Sequence, residues 1–345
     1  CMVLECALHI FVLIINLLFR NEGAMVELDG MLSIVMPAYN EEKLIYQSIM
    51  KTLDIVSGFV REIELIAVND GSKDNTKAEI LRAVRKDKRV RLVTSDKNRG
   101  KGNAIISGVS QAEGKYIAFV DADDYVSKDY IYNLIQQYET KDIQLATSGY
   151  YQTDGENVFG ERAFEYYGNM RKIPDEYYIL GDCHTIWGKL YIKEIINLHN
   201  IRFKKINISE DSFFNLEYSQ FVTNISCIFK KDYYYVQYEN GNNLTAKAEF
   251  SYFEIYQKLY KEYCKIMKTE IAEQIIYPQY YNLLLKIVKQ NKIKTIKQNK
   301  VINKVYAESM IKILQNHDGV GNEKLLIKLM IMKKWGVLKI ITKLL

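Results

Sequence analysis

The sequence predicts an α/β protein with a doubly wound, mostly parallel sheet, followed by a less regular region and a helical C-terminal extension. Three observations carry this. Between Leu32 and Tyr138, short apolar runs alternate with longer segments of helical period, which is the pattern of βαβ units and a parallel sheet. Tyr116–Val120 is a continuous apolar run, with Phe119 and the β-branched Ile117 and Val120, too short for a typical helix and suited to a strand buried on both faces. Each predicted strand also ends in a polar stretch, and ligands of open α/β sheets bind beyond the carboxyl ends of the strands.

In chain order, residues 1–30 hold the apolar stretch Val3–Phe19, in which 14 of 17 residues are apolar, broken by Glu5, His9 and Asn16. It is short for a spanning helix and lacks the basic n-region of a signal peptide. A short membrane anchor, an extra packed helix and an upstream extension outside the working protein all fit it. Met25 and Met31, just ahead of the first strand, favour the last. Leu32–Met36, Glu64–Val68, Val90–Thr94 and Tyr116–Val120 then read as strands, and Glu41–Val56, Asn75–Lys86, Lys101–Gln111 and Lys128–Tyr138 as the helices between and after them. Right-handed crossovers place the strand C-termini on one edge.

That edge carries Pro37-Ala38-Tyr39-Asn40-Glu41, then Asn69-Asp70-Gly71-Ser72-Lys73-Asp74, then Asn98-Arg99-Gly100-Lys101-Gly102-Asn103, then Asp121, Asp123 and Asp124. Each has a bland reading: Asp-Gly-Ser is a common turn, Asp74 is a good N-cap, and acids favour the first turn of a following helix. Four polar strand ends in succession outline one crevice. Three crowded carboxylates repel one another unless cations or hydrogen bonds offset the charge, and their oxygens suit Mg²⁺ or Mn²⁺, which bridge to substrate phosphates.

SIVMPAYNEE, AVNDGSKDNT, NRGKGNAIISG and FVDADD, in this order and spacing, resemble the family 2 glycosyltransferases of GT-A fold over Leu32–Tyr150. The resemblance implies a nucleotide-sugar donor, usually a UDP-sugar, and a divalent cofactor, Mn²⁺ or Mg²⁺. It implies that Pro37, Ala38, Tyr39 and Glu41 line the nucleotide and that Asp70 hydrogen-bonds the base. Asp121-Ala122-Asp123 matches the DxD-type motif that contacts the ribose and the metal on the diphosphate, with Asp123 the leading metal ligand. Lys101 or Arg99 would meet the nucleotide or its phosphates.

Further on, Ile143–Ser148 reads as a strand, and Tyr151–Tyr178, polar and aromatic, as a variable acceptor-side region. Ser209 is expected to cap a helix with Glu210 and Asp211 in its first turn. Helix stabilisation alone accounts for these acids. The pairing of WGKLY (Trp187–Tyr191) with EDSFFN (Glu210–Asn215) nevertheless resembles the transferases that assemble bacterial surface polysaccharides. That resemblance makes Asp211 the catalytic base, with Trp187 and Glu210 on the acceptor side, Trp187 either stacking on a sugar or lying in the core. The QxxRW motif of processive synthases is absent, as is a series of long apolar spans. Asp232–Tyr238 alternates like an edge strand whose tyrosines pack, and Asn240–Thr245 is a candidate loop over the diphosphate.

From Phe250 the chain is helical by period, with Lys-rich connectors at Lys286–Lys304. Ser251–Leu345 carries 18 Lys, no Arg and 7 acids, a charge of +11 that leaves −6 on residues 1–250. In Glu323–Leu345, Lys324, Lys328, Lys339 and Lys343 share one helical arc, with Trp335 near the middle. This reads equally as an interfacial helix on an anionic membrane surface or as a packed helix with a solvated Lys face. Lysines interleaved with aliphatics, without Arg, favour a lipid surface over base readout, so no nucleic-acid partner is expected. Five scattered cysteines without metal spacing fit a reducing compartment. The expectation is a cytoplasmic protein, peripheral at the inner face of the cell membrane. It has an N-terminal segment (1–30), a GT-A domain (31–248) and a basic helical region (249–345). Its function is inverting, metal-dependent transfer of a sugar to a hydroxyl of a saccharide or lipid-linked saccharide acceptor. The alternatives are transfer to a polyprenyl phosphate, since NDGSKDNT and NRGKGNA also resemble the dolichol-phosphate mannosyltransferase group, and a non-catalytic nucleotide-sugar-binding or scaffold subunit.

Overall fold

The structure is a computed structural model and describes residues 30–237, apart from 181, 205 and 207, and residues 251–289. Val3–Phe19, the Asn240–Thr245 loop, the Glu323–Leu345 helix and the Lys-rich connector beyond residue 289 lie outside the described residues. The first half alternates as expected: β1 (Leu32–Ala38), α1 (Ile45–Ser57), β2 (Ile63–Asp70), α2 (Thr76–Lys86), β3 (Val90–Ser95), α3 (Lys101–Gln111) and β4 (Tyr116–Phe119). A two-residue strand β5 (Tyr125–Val126) leads into α4 (Tyr130–Thr140). The second half runs β6 (Leu145–Thr153), β7 (Val158–Arg162), β8 (Tyr166–Asn169), α5 (Glu176–Ile179), β9 (Lys189–Ile192), α6 (Lys193–Leu198), α7 (Glu210–Ser219), β10 (Asn224–Val236), α8 (Ser251–Ile266) and α9 (Thr269–Lys289). The first helix begins four residues later than its periodicity suggests, because Glu41 starts a turn whose carbonyl receives the Leu44 and Ile45 amides.

The strands form one sheet in the order β3-β2-β1-β4-β9-β6-β10-β5, with β7 on β6 and β8 on β10. β1, β2, β3 and β4 are mutually parallel, and β10 is parallel to β6. β9 lies antiparallel between β4 and β6, so its N-terminal end, just after Trp187-Gly188, comes to the edge where β4 ends. The sheet is covered on both faces, and successive β1 residues divide between two cores. Val35 joins Ile66, Ile105, Phe119, Phe213, Phe214 and the α8–α9 residues Tyr263 and Tyr280, whereas Ile34 and Met36 join Ile49, Leu53, Ile80 and Leu134. This is the period-two alternation of a strand buried on both sides. The described C-terminal helices therefore share a core with the sheet. On that side α3 packs so closely that a Cβ at Gly108 would fall 2.4 Å from Val35 Cγ1.

Two expectations change. Asp232–Tyr238 is not an edge strand: residues 232–236 close β10, flanked by β6 on one side and by β5 on the other. Its alternation reflects two differently packed faces rather than a solvated edge. Ser209 does not cap α7 by its side chain. It adopts a left-handed backbone, φ 58°, and only its carbonyl enters the helix, accepting the Phe213 amide at 3.1 Å.

The loop after β2 depends on Gly71, whose φ is +64° and whose added Cβ would sit 2.3 Å from the Lys97 carbonyl carbon. Both the dihedral and the space require glycine. Gly71→Ala is expected to cost about 2 kcal/mol or more of stability, by the strain of a left-handed non-glycine plus displaced backbone, read as a lower denaturant midpoint at unchanged slope.

Candidate active site

Polar loops converge at the C-terminal edge of the parallel strands. Asn40, left-handed at φ 59°, links the first two. Its amide donates to Ser72 Oγ at 3.0 Å and its Oδ1 accepts the Lys73 amide at 2.9 Å. The Glu41 amide donates to Thr76 Oγ1 at 2.7 Å and the Glu42 amide to Asp74 Oδ2 at 3.2 Å. Asp74 is not the N-cap of α2, a position held by Asn75 without a side-chain capping bond, but its Oδ1 accepts the amide of Thr76, the first residue of the helix, at 3.0 Å. Asp70 is buried and accepts the amides of Arg99 (3.0 and 3.1 Å) and Gly100 (2.8 Å). In this structure its carboxylate pins the β3–α3 loop to the end of β2.

The turn after β4 brings Asp121, Asp123 and Asp124 together, with one carboxylate oxygen from each lying within 4.8 Å of the others. Lys101, the first residue of α3, donates to Asp121 Oδ2 at 2.6 Å. Burial works against the Lys101 charge, but Asp121, Asp211 and Glu210 outweigh it and hold the ammonium well above the usual lysine range. Burial, then Asp121, raises Asp123. Burial, then Asp123, Asp74 and Asp121, pushes Glu41 up to about 7. Asp124 differs from its neighbours: its Oδ2 accepts the Tyr233 hydroxyl at 2.8 Å and its Oδ1 the Val236 amide at 2.8 Å.

Asp211 stands at the start of α7. Burial pushes it up to about 7; Lys101 and Lys189 oppose that rise, while Glu210 and Asp121 add to it. Its Oδ1 is buried and has no hydrogen-bond partner among the described residues, and the same holds for Asp121 Oδ1. α7 is fixed by Asn215, whose Nδ2 donates to the carbonyls of Cys183 (2.9 Å) and Thr185 (2.7 Å) and whose Oδ1 accepts the Tyr191 hydroxyl (2.7 Å). WGKLY and EDSFFN are thus joined physically, the Asn of one holding the loop and tyrosine of the other.

An excess of carboxylates around Lys101, with an unpartnered buried oxygen on Asp121, fits a divalent cation at the 121–124 turn. Asp121 and Asp123 would hold it, since both oxygens of Asp124 already meet donors on β10.

Residues 33–197 match the family described as Glycosyl transferase family 2. The chain carries a family 2 glycosyltransferase domain. It is 29% identical over 223 residues to the uncharacterized glycosyltransferase EpsJ of Bacillus subtilis, covering 62% of this chain and 63% of that one, so it spans less than two thirds of this relative's length. The fold is similar to that of S. aureus TarS 1–349 in its crystal structure with UDP-GlcNAc, at TM-score 0.61 and 17% identity, over 91% of this chain and 90% of the other. The mannosyltransferase PcManGT of Pyrobaculum calidifontis, in complex with GDP-Man and Mn²⁺, gives TM-score 0.53 at 13% identity, over 95% and 91%. At these identities the structural likeness concerns the fold: a GT-A-type mixed α/β architecture.

Within this glycosyltransferase domain and the strands and helices that follow it, the expected residues divide by position. Glu41, Lys101, Asp121, Asp123, Glu210 and Asp211 belong to one electrostatic cluster. Pro37 and Ala38 close β1, and Tyr39 beside them is 38% exposed. Trp187 does not offer a ring to a sugar: only 5% exposed, it is stacked on Tyr233 at 4.3 Å, beside Tyr235, and met edge-on by Tyr150. Two residues escaped sequence reasoning. Tyr233, one of 27 tyrosines, bonds both ends of the acid turn. His184 has a buried Nε2 without a partner among the described residues and is held neutral, down at about 4, by burial and by Lys189; no spacing in the sequence marks it.

The raised Asp211 has a thermodynamic consequence. Between an unfolded carboxyl near 4 and a folded one at about 7, the native state binds the extra proton, so stability falls as pH rises across that window. Asp211→Asn is expected to melt above the wild type at pH 8 and to lose that advantage by pH 4. A helix-stabilising Asp211 gives the opposite sign at pH 8. Paired thermal melts at the two pH values check it.

Proposed function

We propose that the chain moves one sugar from a nucleotide sugar, a UDP-sugar, to a hydroxyl of a saccharide or lipid-linked saccharide in surface-polysaccharide assembly, with inversion at the anomeric carbon. The single observation that carries the reading is Asp211: a carboxyl at the start of α7 with a free buried oxygen and affinity for a proton near neutrality, in the same charge cluster as Lys101 and Asp121. A general base works best with a pKa near the operating pH. Asp211 takes the proton of the acceptor hydroxyl, whose oxygen attacks the anomeric carbon from the side opposite the diphosphate. The bond to the diphosphate oxygen breaks, and its electron pair leaves with the nucleotide. Lys101, held cationic, keeps Asp121 oriented and offsets the negative charge beside the base. A divalent cation on Asp123 and Asp121 would supply counter-charge to the departing diphosphate.

The TarS complex with UDP-GlcNAc supports the choice of UDP for the donor, and the Mn²⁺ in the PcManGT complex supports a cation. Among the described residues no helix is long and apolar enough to cross a membrane. A lipid-linked acceptor then calls for attachment at the inner membrane face, for which the Lys-rich sequence beyond residue 289 supplies the charge.

Asp123→Ala should abolish transfer and remove the Mn²⁺-dependent part of UDP binding. Calorimetric titration of UDP with and without Mn²⁺ measures this, and an unchanged metal dependence would refute the ligand assignment.

With a hydroxyl acceptor, Asp211→Asn should lower turnover by about 10²–10⁴-fold at unaltered UDP affinity. Wild-type turnover should rise with pH through about 7 as Asp211 loses its proton. Near-normal turnover of the variant would instead place the acceptor among phosphates, which are anionic without a base.

A further inference from the structure

Tyr233 lies on β10, outside the motifs that mark the site, and is fully buried. Its hydroxyl accepts the Asp121 amide at 3.0 Å and donates to Asp124 Oδ2 at 2.8 Å. One oxygen atom thus ties the first and last residues of the acid turn to a single ring. That ring is seated by the parallel Trp187 at 4.3 Å and by the edge-on Tyr130 at 6.1 Å. Three residues on, the Val236 amide donates to Asp124 Oδ1. β10 reaches this position through register shifts against β6 between Ile228 and Lys231 and again between Lys231 and Tyr233; such bulges re-aim side chains. The three clustered carboxylates are therefore of two kinds. Asp124 is 5% exposed with both oxygens engaged by β10, while Asp121 keeps a buried oxygen without a partner among the described residues.

We propose that Tyr233 is a positioning residue for the acid turn, clasping it to β10 through Asp124 so that Asp124 serves the fold while Asp121 and Asp123 are held at the spacing that receives a divalent cation. The inference rests on the reading of Asp121 and Asp123 as cation ligands. Without the hydroxyl, the Asp121 amide and one Asp124 oxygen each lose a buried partner, and the turn relaxes to recover them. Outer partners of metal ligands typically account for about 10–100-fold in affinity.

The test is Mn²⁺ binding to the full chain, read by paramagnetic resonance of free Mn²⁺ and by calorimetry in the presence of UDP. The proteins are wild type, Tyr233→Phe, Trp187→Phe and Ile80→Ala. The last trims the buried core under α2 and serves as a stability control. Tyr233→Phe is expected to raise the Mn²⁺ Kd by about 10–100-fold and to raise the donor KM at limiting Mn²⁺, with kcat recovering at saturating Mn²⁺. Ile80→Ala should melt earlier yet bind Mn²⁺ like the wild type. Trp187→Phe loosens the seat of the ring but keeps the hydroxyl, so it should show a smaller rise in Kd. It carries the test if Tyr233→Phe does not fold, and an unchanged Kd there overturns the proposal. Wild-type affinity in a folded Tyr233→Phe makes the role purely structural and overturns it. Tighter binding, with Asp124 released to become a ligand, overturns it as well. A wild type that binds no Mn²⁺ refutes the cation reading itself, and with it this one; a wild type that binds and a Tyr233→Phe that binds equally refute this one alone.

Discussion

The rest of the structure depends on how one sheet edge accommodates a crowd of carboxylates. Parallel strands deliver their C-termini to the same side, so Glu41, Asp70, Asp74 and the 121–124 acids arrive together, and α7 adds Glu210 and Asp211. Burial raises the free energy of each charge, and each neighbour adds repulsion. The chain answers in three ways. Backbone amides satisfy Asp70 and Asp74. Donors on β10 satisfy Asp124. Lys101 offsets Asp121, Asp211 and Glu210 from the start of α3. Among the described residues, one buried carboxylate oxygen on Asp121 and one on Asp211 have no partner, and the proposed cation and acceptor proton are assigned to these two positions.

The same edge explains the local strain. Asn40 and Ser209 both adopt left-handed backbone, at φ 59° and 58°, a region that disfavours residues other than glycine, with asparagine the mildest exception. Asn40 is held there by bonds to the β2 loop. Ser209 gives up its capping bond, and the turn it makes leads directly into Glu210 and Asp211. Asp211, the proposed base, is thus carried on a helix fixed by Asn215 rather than on a loop, as would suit a proton acceptor that must stay oriented.

Much of this was legible in the sequence because it is local. Strand and helix periods, glycine at Gly71 and acids at strand ends are properties of short segments, and direction and handedness rules turn them into one shared edge. Asp211 was singled out only through the resemblance that pairs WGKLY with EDSFFN; in the structure Asn215 of the second segment bonds Tyr191 of the first and Thr185 just ahead of it. Trp187 and Tyr233 were not legible. A stack between residues 46 positions apart, across β10 and the loop ahead of β9, depends on strand order and on bulges that no periodicity records. The edge-strand reading of Asp232–Tyr238 failed for the same reason, since alternation shows that two faces differ and not what lies beside the strand.

The sequence by itself determined the α/β alternation, the edge where the chemistry gathers and the residue types gathered there, because each follows from short-range pattern and from the chirality of the chain. Tertiary structure decided which of those residues are spent on the fold and which are left over. Asp70 and Asp124 accept long-range hydrogen bonds and Trp187 is stacked in the core, while among the described residues Asp121 and Asp211 each keep one oxygen without a partner. That division is set by partners distant in the sequence, and only folding brings them within reach.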